Sequence, residues 1–149
     1  MDARDKTMDV FKGLKRLKTI LIDDDEWIRD AMSIFFASEG CSIQTLETAE
    51  EALKVCEKER FDIIIVDYML PGMNGIAFLK ALENLIKNQN PVPLPMIKIL
   101  ITAHGDDEIV TLAKKAGVHA IVHKPFTPEA IGNAIRSHMG NSSHFNFTL

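Results

Sequence analysis

The chain has 149 residues, enough for one domain with its own core. Hydrophobic residues make up 46% and charged residues 26%, the balance of an ordinary soluble globular protein, and the net charge of −4 argues against a nucleic-acid-binding surface. No apolar run reaches the ~18 residues of a membrane span, and the amino-terminal stretch lacks the apolar segment of a secretory leader, so a cytoplasmic location is expected.

Residues 1–17 read as a polar tail or a short amphipathic helix, with Val10, Phe11, Leu14 and Leu17 at helical spacing. A regular alternation then runs from residue 18 to residue 140. "TILI" (19–22) is a short β-rich run, and "EWIRDAMSIFFASEG" (26–40) is a helix with Ile28, Met32 and Phe35 or Phe36 on one face and Gly40 at its stop. "CSIQTL" (41–46) is a second strand. "TAEEALKVCEKE" (48–59) opens with the capping box Thr48-x-x-Glu51. "FDIIIVD" (61–67) is a continuous apolar run, as expected of a strand covered on both faces.

The turn "YMLPGMNG" leads to a helix over about residues 76–85, and "NQNPVPLP" (88–95) is a proline-punctuated loop. "MIKILIT" (96–102) is a fourth strand, "DDEIVTLAKKAG" (106–117) a helix, and "HAIVH" (119–123) a fifth strand. The last helix, "TPEAIGNAIRSHM", has Thr127 as its N-cap and Pro128 at its first position. Residues 141–149 form a tail. The expected fold is α/β, a doubly wound five-stranded parallel sheet with helices on both faces.

Cys41 and Cys56 have neither metal-ligand nor redox spacing and read as small apolar residues. Trp27, Phe35 and Phe36 are expected to pack. His119 and His123 fall on one face of a strand, without the spacing of a helical metal pair.

The strand ends are different. The first strand ends at Asp23 and Asp24, the third at Asp67 and the fourth at Thr102, and Lys124-Pro125 follows the fifth. In a parallel sheet all of these rise at one edge, where such folds bind ligands. Three carboxylates sharing a small site repel unless a cation relieves them, and a hard divalent ion with oxygen ligands, Mg2+, suits them best. Mg2+ shares its ligation readily with phosphate. A lysine and a threonine hydroxyl suit phosphoryl oxygens, and one carboxylate can act as nucleophile.

The set "LIDDDEWIR", "IIIVDYMLPGMNG", "ILITA" and "VHKPF" resembles the receiver domain of two-component response regulators over residues 18–140. The resemblance implies the flavodoxin-like strand order 2-1-3-4-5 and a switch that takes a phosphoryl group from a histidine kinase or histidine phosphotransfer protein. By the same resemblance, Asp67 is the phosphoacceptor, and Asp23, Asp24, Asp67 and the carbonyl of Met69 hold Mg2+. Thr102, the amide of Ala103 and Lys124 bind the phosphoryl group, and Pro125 follows a cis bond. Met69 and His104 border the path of attacking water. The downstream partner is a protein target or output domain, met through the face built by the fourth helix, fifth strand and fifth helix. A phosphorylation-dependent dimer stays open, as does whether the chain stands alone or is one module of a longer regulator.

Ile121 stands three residues before Lys124, where the family often carries a switching aromatic residue, so the usual readout is in doubt. Two other readings compete. A haloacid-dehalogenase-type phosphatase would use Asp23-x-Asp25, with Asp23 as nucleophile and no role for Asp67. A phosphorylation-independent interaction module would not need all five chemical positions.

Overall fold

Every residue of the Ile63–Asp67 strand is buried, so this segment has to be covered on both faces. The computed structural model describes residues 14–89 and 96–140. Strand and helix alternate through them: β1 (Thr19–Ile22), α1 (Glu26–Ser38), β2 (Ile43–Leu46), α2 (Ala49–Lys58), β3 (Ile63–Asp67), α3 (Gly75–Lys87), β4 (Ile97–Thr102), α4 (Asp107–Lys115), β5 (Ala120–His123) and α5 (Pro128–Gly140). The strands form one sheet in the order β2-β1-β3-β4-β5, and every neighbouring pair is parallel. This is the doubly wound architecture that the strand–helix rhythm predicts.

The alternation of side chains along β3 splits the core in two. Ile63 and Ile65 lie with Leu21, Ile97, Ile99 and Ile101 against Met32 and Phe36 of α1 and Ile131 and Ile135 of α5. Ile64 and Val66 lie with Ile20, Ile22 and Leu100 against α2, α3 and α4. The helices begin where the sequence signals them. The Thr48 hydroxyl oxygen accepts the Glu51 amide at the start of α2, which is the N-cap half of the expected capping box, while the Glu51 carboxylate accepts the Thr48 hydroxyl rather than its amide. The Thr127 hydroxyl accepts the Ala130 amide at the start of α5. Among the described residues, no helix is long and apolar enough to cross a membrane.

Some expectations need correction. Trp27 does not pack: it is 85% exposed. The buried stripe of α1 runs through Ile28, Met32 and Phe36 at intervals of four, and Trp27, one residue earlier, is turned outward. His119 precedes β5, and its Nδ1 accepts the Lys98 amide while its ring meets that of His138 edge-on. The tail expected over residues 1–17 lies mostly outside the described residues, as do the expected tail at 141–149 and most of the proline-rich loop at 88–95. Leu14, however, is 1% exposed and belongs to the α1–α5 side of the core. Lys18 ties this entry segment to the start of β3, its amide donating to the Asp62 carboxylate and its carbonyl accepting the Asp62 amide.

Leu14 therefore belongs to the folding unit. Leu14→Ala is expected to lower stability in urea denaturation by about 2–5 kcal/mol, the range for emptying a packed leucine site. A loss below about 0.5 kcal/mol, the range of a surface change, would show that the segment ahead of β1 is dispensable.

Candidate functional site

Strand order reverses around β1, which lies between β2 and β3, and the candidate residues gather at the carboxyl ends of these strands and their neighbours. Asp23 lies one residue past β1 and is 0% exposed. Its amide donates to the carbonyl of Leu46 at the end of β2, and its Oδ1 accepts the Asp25 amide at 2.9 Å. Its Oδ2 is buried and has no hydrogen-bond partner, though the Lys124 ammonium stands 3.4 Å away as an ion pair.

Asp67, the last residue of β3, is 3% exposed. Its Oδ2 accepts from Lys124 Nζ at 2.8 Å, and its Oδ1 accepts the Met69 amide at 3.3 Å. Carboxylate oxygens of Asp23, Asp24 and Asp67 lie within 4.8 Å of one another.

The turn after Asp67 is built for close approach. Gly72 has φ +83°, a conformation few side chains adopt. Gly75 needs no unusual angle; a Cβ there would sit 2.5 Å from the carbonyl oxygen of Asp67. Its amide donates to the Tyr68 carbonyl, and Asn74 caps α3 by accepting the Ala77 amide. Gly75 is therefore required for space rather than for backbone freedom.

Not every predicted group is turned into the cluster. Asp23, Asp24, Asp67 and Lys124 are brought together. Thr102 is buried at the end of β4, but its hydroxyl donates to the His104 carbonyl at 2.7 Å and accepts the His104 amide at 2.9 Å. Ala103 and His104 are exposed in the following loop. Met69 is 60% exposed on the turn beyond Asp67. The Lys124-Pro125 bond is cis, as the resemblance implies. Sequence reasoning missed Arg29, whose Nη1 donates to the Asp23 carbonyl at 2.9 Å. A basic residue at the fourth position of a helix that follows an acidic loop was the only trace of it in the sequence.

Electrostatics follow from burial and crowding. Burial pushes the Asp23 carboxyl up to about 6; the Asp25 amide opposes this, Asp67 adds to it, and Lys124 opposes it again. Burial alone would lower the Lys124 ammonium, but its hydrogen bond to Asp67 and the charges of Asp23 and Asp67 carry it above its ordinary value. Three carboxylates against one ammonium leave two negative charges when all are ionised. A buried carboxylate oxygen without a hydrogen bond, in an all-oxygen donor set, fits a hard divalent cation such as Mg2+.

A parallel doubly wound sheet that gathers three acids and a lysine at its carboxyl edge defines a phosphoacceptor domain of the receiver class. The sequence matches the response regulator receiver domain family over residues 19–136, and the chain belongs to that family. It is 30% identical over 124 residues to sporulation initiation phosphotransferase F of Bacillus subtilis, covering 82% of this chain and 93% of that protein. It is also 30% identical over 118 residues to transcriptional regulatory protein AfsQ1 of Streptomyces coelicolor, covering 79% of this chain and 49% of that protein. The chain thus spans about half the length of AfsQ1. A CheY-like receiver domain protein of Methanospirillum hungatei shares the fold with a TM-score of 0.73 at 27% identity, over 83% of this chain and 94% of that one.

The domain is accordingly a phosphorylation-dependent signalling switch of the two-component type. Receiver domains bind Mg2+ at an acidic pocket, and this chain has the acids for one. The phosphatase alternative is set aside. Asp23 and Asp25 do not converge as an Asp-x-Asp pair, because the Asp25 carboxylate caps α1 by accepting the Trp27 amide. Asp67, which that reading leaves idle, is the acid held by Lys124.

Because the folded Asp23 carboxyl titrates near 6, above its ordinary 3.8, the folded state holds the proton more tightly than the unfolded one. This favours the fold fully below pH ~4 and is lost as pH rises through about 6. In EDTA, Asp23→Asn is therefore expected to be more stable than wild type at pH 7.5, by roughly 1–3 kcal/mol, and by much less at pH 4.5. Urea denaturation at the two pH values checks this; an equal difference at both would contradict the burial argument.

Proposed function

We propose that Asp67 accepts the phosphoryl group from a phosphohistidine on a sensor kinase or phosphotransfer protein. A carboxylate oxygen of Asp67 attacks phosphorus and the P–N bond breaks. The electron pair departs with the imidazole nitrogen, which takes up a proton, and an aspartyl phosphate remains. The observation that carries this reading is the 2.8 Å contact of Lys124 Nζ with Asp67 Oδ2 inside the acidic cluster.

Mg2+ would be held by Asp23, Asp24, Asp67 and the carbonyl of Met69, and bound there it neutralises charge on the transferring phosphoryl oxygens. Lys124 neutralises the acceptor and then pairs with the phosphoryl group. The Thr102 hydroxyl and the Ala103 amide supply hydrogen bonds to it. To do so, Thr102 must stop donating to the His104 carbonyl, which links the state of Asp67 to the β4–α4 loop.

The receiver unit spans residues 18–140, with Leu14 of the preceding segment completing its core. It acts in the cytoplasm and carries out only its own phosphorylation and dephosphorylation. Its output is a changed α4-β5-α5 face for a downstream protein, an output domain or a second copy, without binding nucleic acid or membrane itself. Ile121 is half-buried against the α2–α4 side of the core, which supports a readout centred on the β4–α4 loop rather than on a swinging aromatic ring.

Incubation with acetyl phosphate and Mg2+ is expected to add one labile phosphoryl group to the intact mass of the wild type and none to Asp67→Asn. The variant should keep its circular dichroism spectrum. An adduct of equal yield on the variant would overturn the assignment of the acceptor.

A further inference from the structure

The acidic loop between β1 and α1 is closed by one residue that the receiver motif reading did not use. Arg29 is the fourth residue of α1. Its amide donates to the Asp25 carbonyl at 3.1 Å, and its guanidinium reaches back to the Asp23 carbonyl at 2.9 Å. Asp23 is fully buried and lies beyond the last paired residue of β1, Ile22, so its carbonyl needs a donor from outside the sheet. Asp25 ties down the rest of the loop, its amide on Asp23 Oδ1 and its carboxylate on the Trp27 amide.

The result is a carboxylate with one oxygen held and the other, Oδ2, buried and without a hydrogen bond. Among the described residues Arg29 makes no ion pair, so its role is directional: it fixes a carbonyl and neutralises no ligand.

We propose that Arg29 is a positioning residue for the cation site, orienting the Asp23 carboxylate through the Asp23 carbonyl. The proposal rests on the Mg2+ reading above. A group that orients a metal ligand typically matters 10–100-fold in metal affinity. Arginine suits the task because its planar fork is rigid and loses little freedom on bonding, whereas lysine would offer rotatable donors on a flexible stem.

The test uses wild type, Arg29→Met and Arg29→Lys. Mg2+ is titrated while the emission of Trp27, exposed two residues from Arg29 and three from Asp24, is followed. In EDTA, hydrogen exchange of the Asp25 amide and the carbonyl 13C shift of Asp23 report the loop itself by NMR. Arg29→Met is expected to weaken Mg2+ binding roughly 10-fold or more, to deprotect the Asp25 amide and to shift the Asp23 carbonyl, with the melting temperature in EDTA little changed. Arg29→Lys should recover part of each effect.

Unchanged Mg2+ affinity in Arg29→Met, against a wild type that binds, would overturn the proposal. A melting temperature that falls in step with affinity, with no recovery in Arg29→Lys, would also overturn it, by showing a merely structural role. If the wild type itself fails to bind Mg2+, the cation reading fails separately. The Asp25 amide then decides Arg29: unchanged protection in Arg29→Met overturns the positioning role, and lost protection upholds it for Asp23.

Discussion

Three carboxylates and one ammonium crowd the carboxyl edge of the sheet, and the surrounding structure is arranged to hold them there. Asp23 and Asp67 are almost wholly buried, within reach of Asp24, and Lys124 bridges the two buried acids. Such an arrangement opposes folding, because buried like charges repel and desolvation penalises each of them. The raised pKa of Asp23 is the direct mark of that cost. The two apolar layers on either side of β3 supply the stability against which it is set.

Parallel topology makes the crowding possible. Each strand ends at the same edge, so acids distant in sequence arrive together without any loop having to span the sheet. The turns then fix their aim. Asp25 and Arg29 hold Asp23 from its side chain and its backbone, while the Met69 amide and the close approach of Gly75 hold the turn around Asp67. Thr102 is the exception. Its hydroxyl is bonded to its own loop, so the group expected to meet a phosphoryl oxygen is also the one that holds His104. Under the proposed function that hydroxyl would choose between two acceptors, a two-state element that needs no aromatic residue at position 121.

Much of this was legible in the residues. The apolar run at 61–67 marked a strand covered on both faces, the Thr48-x-x-Glu51 motif and the Thr127-Pro128 pair marked helix starts, and the acids, threonine and lysine at strand ends marked one edge. What stayed hidden depends on direction in space. Trp27 looked like a packing residue because bulk and hydrophobicity are visible in sequence, whereas its outward angle depends on the register of α1, set by Met32 and Phe36. Leu14 fell in a mostly polar stretch, which the tie of Lys18 to Asp62 and the packing of Leu17 bring back to the core. Gly75 is needed for a steric reason that appears only once Asp67 and α3 are placed. Arg29 was passed over because a basic residue early in a helix names no partner, and its bond to the Asp23 carbonyl is visible only in space.

The central claim is that Asp67, held by Lys124 beside two further acids, is the group that carries the phosphoryl. The most direct measurement is to treat the acetyl-phosphate-labelled protein with borohydride, which reduces an acyl phosphate to an alcohol, and to map the product by peptide mass spectrometry. Homoserine at position 67 alone is the expected result. Homoserine at position 23 or 24, with Asp67 intact, would contradict the account.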